Sequence, residues 1–439
     1  MAQMKRAILC FPSIQSEANQ YPTGLYRIAS TCKDEYAVIV LDQRLEPHLN
    51  DAIRAILDEG DVLCLGLSVM TGEQIGHALE ISREFHNQVT IVWGGIHPSI
   101  MPKQVIENNY VDYVVMGEGE LAFLNLIRYL DSKPIPSELF LSKTNRNYKY
   151  NYDSVTATAY VDFDKYPVQD AYFVKRDSFR RAFPLETSRG CPHHCYFCHN
   201  SILRKPYRAM NGQNVVTLID DMRSRYNLDG IIFQEDNFFA NKSRVEHIIK
   251  YLSTVPDTGW KANSRIDYFS RFITDDTFMS KLVDSGCRHL QFGIESGSPR
   301  IIEMINKRID IDSVRTVNMK LASYPIDLRY NFIIGFPGES IEDMQMTFSF
   351  ISTLQEENAN TEPPLVSVYA PYPGTRLYPR AIELGFKEPQ SLEEWSGVDW
   401  RTAARHSWLT PELQEYIEMR AAEYESRSKY APYMKGHEK

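Results

Sequence analysis

Residues 188–200 read SRGCPHHCYFCHN and place Cys191, Cys195 and Cys198 in a C-x3-C-x2-C spacing. The chain has only seven cysteines, so three of them so close together need a reason. A disulfide would leave one over, and a four-thiolate metal site would be one short. Thiolates suit zinc or iron–sulfur clusters. A [4Fe–4S] cube has four irons, so three protein thiolates leave one iron open to a substrate or cofactor. The spacing lets a short loop fold three thiolates around one such soft centre. Zinc is the alternative, with His193, His194 or His199 as a further ligand, although structural zinc sites draw ligand pairs from separated segments. Buried, unreactive thiols fit a polar "GCPHHC" loop less well.

The loop directly follows the first of six short apolar runs. These are FPLETS (183–188), GIIFQED (230–236), WKANSR (260–265), HLQFGIES (289–296), LRYNFIIGF (328–336) and LVSVYAP (365–371), with helical patterns such as SRVEHIIKYLST and SIEDMQMTFSFISTLQEE between them. Six βα units over 183–375 predict a partial (β/α)6 barrel with its chemistry at the C-terminal rim, where the cysteine loop sits. Upstream, residues 1–131 carry five β-branched, nearly continuously apolar runs: RAILCF (6–11), YAVIVLD (36–42), DVLCLGLSV (61–69), VTIVWGG (89–95) and VDYVVMG (111–117). Such runs belong to strands buried on both faces of a parallel sheet. Helical patterns such as HLNDAIRAILDEG and GEQIGHALEISREFH separate them, so the fold class is α/β. The first domain is doubly wound and Rossmann-like, and its ligand belongs at the carboxyl ends of the strands. Residues 132–182 show no sustained period and read as a linker that wraps a surface, its Tyr-rich part (148–173) suggesting an aromatic or sugar-stacking wall. Residues 376–439 form a C-terminal helical segment, in which TPELQEYIEMRAAEYESRSKY is a capped amphipathic helix closing one side.

At 439 residues the chain is too long for one core, and two or three domains are expected. Hydrophobic residues at 43% and charged residues at 24% are ordinary for a soluble globular protein. No apolar run reaches the roughly 18 residues of a membrane span, and the start MAQMKRAILCFP lacks the h-region of a signal peptide, which predicts a cytoplasmic protein without a membrane partner. Cys10 and Cys64 lie inside apolar strands, and Cys32 and Cys287 near helix ends, as small buried hydrophobes do. A net charge of −9, from 48 basic and 57 acidic residues, makes the whole chain no footprint for nucleic acid, though it leaves room for a locally basic cleft.

TSRGCPHHCYFCHN resembles the cluster loop of the radical S-adenosylmethionine (radical SAM) enzymes, which carry C-x3-C-x2-C with an aromatic before the last cysteine. The resemblance continues in order through FQEDNFFAN, NSRID, SGCRHLQFGIESGSPRIIEMINK, NFIIGFPGES and YAPYPGTRLYPRAIELGF. YPTGLYRIAS, WGGIHPSIMP and VVMGEGE are similar to segments of the N-terminal cobalamin (B12)-binding-type domain that one branch carries, so the likeness covers the chain to Phe386. It implies that Cys191, Cys195 and Cys198 ligate a [4Fe–4S] cluster whose open iron chelates S-adenosylmethionine. An electron donor such as flavodoxin or ferredoxin would reduce the cluster, and cleavage would give a 5′-deoxyadenosyl radical. It further implies that Phe197 packs on the adenine, that Glu235 and Asp236 orient the amino group, and that Arg265 takes the methionine carboxylate or a substrate acid. Glu295 would face the ribose or methionine, and Gly335 and Gly338, with Pro337 stiffening the turn, would leave backbone free beside the adenine. Plain readings stand beside these: a core aromatic for Phe197, a helix cap for the strand-end acids (for which Asn241 is better placed), a surface ion pair for Arg265 and a structural salt bridge for Glu295.

Cobalamin domains with a histidine lower ligand show D-x-H-x-x-G after the first strand, where this chain has CFPSIQSEANQYPTG. Radical SAM relatives commonly bind cobalamin without that histidine, so the crevice near Ser68, Gly94 and His97 remains the expected cobalamin site. His97 either lines it or caps the following helix. The expected activity is hydrogen abstraction from a small molecule followed by cobalamin-dependent C-methylation. The alternative is a non-methylating radical reaction, an oxidative cyclisation or the deoxygenation of a diol such as an amino sugar, with an empty B12-type domain. A tRNA methylthiotransferase would need a second cluster from Cys10, Cys32 and Cys64, two of which lie mid-strand, and a basic RNA module that is missing. A non-enzymatic zinc-binding module is the remaining alternative.

Overall fold

The structure, a computed structural model, describes residues 4–14, 20–135, 140–145, 160–175, 179–203, 206–398 and 408–425, with side chains omitted from 421 onward. The chain divides into two compact units. One comprises Met1–Tyr172, Leu203–Lys205 and Pro389–Asp399, the other Phe173–Ile202, Pro206–Glu388 and Trp400–Lys439. No helix among the described residues is long and apolar enough to cross a membrane.

In the first unit all five expected apolar runs are strands: β1 (Arg6–Phe11), β2 (Ala37–Asp42), β3 (Val62–Ser68), β4 (Ile91–Gly94) and β5 (Tyr113–Val114). They are parallel in the order β2-β1-β3-β4-β5, with helices such as Leu49–Asp58 and Glu73–Phe85 as crossovers. The order reverses between β1 and β3, and a ligand crevice opens at such a switch point. Gln74, buried, spans it: its Nε2 donates to the Pro12 carbonyl (2.8 Å) and its Oε1 accepts from the Met70 N–H (3.0 Å). Cys10, Cys32 and Cys64 are buried, and burial pushes the Cys32 thiol up to about 12, so these cysteines pack as apolar groups.

Two segments behave differently from expectation. The stretch 132–182 does more than link: β6 (Leu141–Ser142) pairs antiparallel with β5 as a sixth strand. Further on, the Tyr166 hydroxyl donates to the Val38 carbonyl (3.2 Å) and the Tyr172 hydroxyl to Asp42 (2.8 Å), which closes the β2 side of the same sheet. Much of the Tyr-rich part lies outside the described residues. The second departure is at residues 389–398, expected as part of one C-terminal helical segment but packed on the first unit, apart from the helix that follows. Trp395, fully buried, lies 5.6 Å from the His97 ring, and the Pro389 carbonyl accepts from Gln104 Nε2 (3.2 Å). An apolar tryptophan needs a buried socket, and sequence spacing does not say which domain offers one.

The second unit is an open half-barrel. Its strands are β7 (Ala182–Leu185), β10 (Gly230–Phe233), β11 (Gly259–Ser264), β12 (Cys287–Glu295), β13 (Asp327–Ile334) and β14 (Leu365–Val368), parallel and adjacent in chain order. The expected first run breaks after Leu185. Ser188 and Arg189 form β8, paired antiparallel with β9 (Arg208–Ala209), which turns the chain into the cysteine loop. The helix Pro411–Glu425 is capped by the Thr410 hydroxyl, which accepts from the Leu413 N–H (3.3 Å), and buries Ile417. Gly297, just past β12, sits against the helix Ile341–Glu357. A Cβ there would meet the Phe350 Cβ at 2.7 Å and the Met346 carbonyl at 2.8 Å, while its N–H donates to the Thr347 hydroxyl (3.0 Å). Gly297→Ala is therefore expected to lower stability by about 1–3 kcal/mol through overpacking, read as a fall in the denaturant midpoint. An unchanged midpoint would show that the helix yields freely.

Candidate active site

The cysteine loop is held at both sides by backbone. Gly190 turns with φ +82°, and the Tyr196 N–H donates to the Ile305 carbonyl (2.9 Å). The Leu377 N–H donates to the Tyr196 carbonyl (3.0 Å), and Asn306 Nδ2 to the His194 carbonyl (2.9 Å). Cys195 is buried, and Cys191 and Cys198 half-buried. Burial pushes the Cys191 thiol up and the Cys198 thiol up to about 12, and the Asp236 carboxylate adds to both. Thiols in such surroundings ionise when a cation takes the charge, as a metal cluster does. Arg265 supplies further positive charge, with Nη1 3.4 Å from Cys195 Sγ. Among the described residues no three His, Cys, Asp or Glu side chains converge on the place of one metal ion. His193 packs instead against Tyr268 (5.3 Å) and His199 against Tyr372 (6.2 Å).

The two acids after β10 part company. Glu235, its side chain fully buried, pairs with Arg244 (Nη2 to Oε1 2.7 Å, Nη1 to Oε2 3.3 Å) and accepts from the hydroxyls of Thr187 and Ser188. It ties β10 to the start of the loop and to the helix Lys242–Leu252, which Asn241 caps by accepting from the Arg244 N–H. Both its oxygens are used, so the expected role toward an ammonium gives way to a structural one. Asp236 is only half-buried, yet its Oδ2 is shielded and has no hydrogen-bond partner among the described residues. Next to it, Asn237 is fully buried, its Oδ1 accepting from the Ser264 hydroxyl (2.7 Å) while its Nδ2 has no partner.

Arg265 does not offer its fork to a carboxylate ligand. Its Nε donates to Asp267 (3.0 Å), its Nη2 to the Lys307 carbonyl (2.6 Å), and its Nη1 faces Cys195. Glu295, at the end of β12, has φ +77° and pairs with the buried Lys307 (2.7 Å), matching its salt-bridge reading. A left-handed backbone at a non-glycine residue is strained and persists where its surroundings hold it. Gly293 makes room: a Cβ there would lie 2.5 Å from Glu295 Oε1. Lys307 and Arg244 were passed over in the sequence because neither stands at a strand end, and nothing in their spacing names a partner.

Phe197 is half-exposed and meets Phe336 edge-on at 5.9 Å. Gly335 and Gly338 have φ +75° and +89°, as the turn requires. Gly335 is approached by β14 and by the C-terminal segment: a Cβ would lie 3.1 Å from Val368 and 3.5 Å from Leu409, and Trp408 Nε1 donates to its carbonyl (2.9 Å). Glu339, missed in the sequence, closes the turn by accepting from the Phe336 N–H (3.0 Å), and burial pushes its carboxyl up to about 8.

At the strand ends of the first unit, Ser68 and Gly94 are half-buried. Gly95 has φ +99°, and a Cβ there would stand 2.8 Å from the Val69 nitrogen, so only glycine lets β3 and β4 close at this point. His97 neither lines the crevice nor caps a helix with its side chain. It is fully buried beside Trp395, with Nδ1 3.1 Å from the Thr71 hydroxyl, and burial pushes the ring down to about 3. Ser68 and Gly94 therefore stand partly exposed at the strand ends, while His97 is turned into its own buried socket.

Residues 14–127 match the B12 binding domain family, and residues 185–351 match the Radical SAM superfamily. The chain is 30% identical over 399 residues to an uncharacterized methyltransferase of Pyrococcus horikoshii, covering 86% of this chain and 82% of the relative. An anaerobic magnesium-protoporphyrin IX monomethyl ester cyclase of Rubrivivax gelatinosus is 24% identical over 325 residues, 70% of this chain and 56% of the relative. Among solved structures, the radical S-adenosylmethionine methyltransferase TsrM from Kitasatospora setae, with cobalamin and [4Fe–4S] cluster bound, is similar with a TM-score of 0.71. The match has 15% identity and covers 90% of this chain and 81% of that one. The chain belongs to the radical SAM superfamily, in the branch with an N-terminal B12-binding domain. The radical SAM match implies S-adenosylmethionine and a [4Fe–4S] cluster, and the B12-binding match supports cobalamin.

The buried Glu235–Arg244 pair gives a stability test. Glu235→Gln strands the Arg244 charge and is expected to cost about 3–5 kcal/mol, whereas Glu235→Gln with Arg244→Met should recover much of that in thermal unfolding. Equal unfolding of the wild type and Glu235→Gln would remove the structural role.

Proposed function

We propose that the protein is a cobalamin-dependent radical SAM methyltransferase that transfers a methyl group to carbon on a small molecule. The observation that carries the reading is one chain holding both a three-cysteine loop after the first strand of a half-barrel and a complete switch-point domain. When bound, the cluster with S-adenosylmethionine supplies a 5′-deoxyadenosyl radical and cobalamin supplies the methyl group, chemistry that belongs to the cofactors. Cys191, Cys195 and Cys198 hold the cluster, and Arg265, fixed by Asp267 and Lys307, offsets its charge. Asp236 binds the ammonium of S-adenosylmethionine through its unpartnered oxygen. Phe197 and Phe336 offer an apolar wall to the adenine, and Glu339 keeps the 335–339 turn in shape. Ser68, Gly94 and Gly95 line the cobalamin crevice, with Gln74 holding its two loops in place. The electron comes from a donor protein such as flavodoxin or ferredoxin. The cyclase relative supports a second reading, the same radical step without methyl transfer.

Product analysis separates the two. Anaerobically reconstituted protein should retain hydroxocobalamin after desalting and, with substrate, form S-adenosylhomocysteine and 5′-deoxyadenosine together. Only 5′-deoxyadenosine, with no corrin retained, would favour the cyclase-type reading. S-adenosylhomocysteine without retained corrin would contradict both. Asp236→Asn should weaken S-adenosylmethionine binding by about 1.5–3 kcal/mol, the worth of a charge-assisted contact, while iron content stays unchanged. Unchanged affinity would move the ammonium site elsewhere on the rim.

A further inference from the structure

The solvent-facing edge of the cysteine loop is ringed by positive charge. Arg376, exposed, lies over the Tyr196 ring at 5.3 Å. Arg271, exposed, lies over the Tyr268 ring at 4.4 Å, and Tyr268 packs against His193 at 5.3 Å. Arg308, also exposed, donates from Nε to Asn306 (2.8 Å), whose side chain holds the His194 carbonyl. Each arginine is thus no more than one residue removed from the three loop residues His193, His194 and Tyr196. None of the three forms an ion pair with a carboxylate among the described residues, whereas the nearby buried Arg265 is paired with Asp267. His194 is exposed between them. The exposed acids near these arginines in sequence include Asp275, Asp276, Glu303, Asp310 and Asp312; Asp275 and Asp310 cap helices by accepting from the Phe278 N–H (3.0 Å) and the Ser313 N–H (2.9 Å), and Asp276 pairs with Lys320 (2.7 Å).

An unpaired basic ring on a chain of net charge −9 calls for a function. The chain as a whole repels an acidic protein, so an acidic partner associates only where the local field is reversed, and complementary charge raises both its encounter rate and its orientation. Electron tunnelling falls steeply with distance, so a protein that reduces a cluster on this loop has to touch the molecule where the loop meets solvent. We propose that Arg271, Arg308 and Arg376 form the docking surface for a small acidic one-electron carrier protein. One electron leaves the reduced carrier, which is oxidised, and enters the oxidised cluster, which is reduced, with no bond made or broken. The proposal rests on the reading of the loop as a cluster site.

The test measures binding as well as turnover. Full-length, anaerobically reconstituted protein is titrated with a reduced flavodoxin of net negative charge at low and high salt, and iron is counted in every variant. The triple variant Arg271→Glu, Arg308→Glu, Arg376→Glu should bind at least tenfold more weakly and lose most of the salt dependence. S-adenosylmethionine cleavage driven by dithionite, which needs no docking, should stay at the wild-type rate. The triple lysine variant keeps the charge and should bind as the wild type does. Arg83→Glu, at an exposed arginine of the first unit, should bind as the wild type does, which separates a local surface from net charge. Unchanged affinity in the triple glutamate variant, lost affinity in the lysine variant, or an equal effect of Arg83→Glu and Arg376→Glu would each overturn the proposal. A wild type that binds flavodoxin yet cleaves nothing with dithionite would sink the cluster reading while leaving the docking result standing.

Discussion

Three sulfur atoms on one short loop cannot all ionise in a half-buried site unless something takes up their charge. Burial pushes Cys191 and Cys198 up, and the Asp236 carboxylate pushes the same way. Positive charge beside the sulfurs therefore favours their thiolates. Arg265 is held against Cys195 by Asp267 and the Lys307 carbonyl, Lys307 is held by Glu295, and Glu295 occupies a strained backbone that Gly293 leaves room for. The Glu235–Arg244 pair fixes the point where β7 gives way to the loop. Beside these paired charges, Asp236 keeps one shielded oxygen with no hydrogen-bond partner among the described residues.

Much of the architecture was legible in the sequence. A strand buried on both faces is a continuous apolar run, so RAILCF and LRYNFIIGF declare themselves, and their alternation with helical patterns dictates parallel pairing. The cysteine spacing was equally plain, because a loop that folds around one centre needs its ligands close in sequence. Less legible was whatever depends on a partner distant in sequence. β6 is two residues long and pairs only because β5 offers an open edge. Trp395 docks beside His97 across almost three hundred positions.

The same limit explains the site residues. Glu235 and Asp236 are adjacent acids just past β10, and the turn there buries one against Arg244 while the other stays half-buried. Sequence position made both candidates for a ligand contact, and only packing shows that Glu235 is taken up by Arg244. Arg265 and Glu295 were found because strand ends carry function, but their partners Asp267, Lys307 and Cys195 turn both toward supporting the loop. His97 stood in a segment similar to cobalamin domains, and burial beside Trp395 assigns it to the socket of the returning chain.

The central claim is that three thiolates leave a coordination position for S-adenosylmethionine. Electron paramagnetic resonance of the anaerobically reconstituted, reduced protein, recorded before and after adding S-adenosylmethionine, tests it most directly. The account predicts the signal of one reduced [4Fe–4S] cluster whose g-values shift on addition, and no such signal from Cys195→Ala. A spectrum indifferent to S-adenosylmethionine, or a cluster signal that survives in Cys195→Ala, would contradict it.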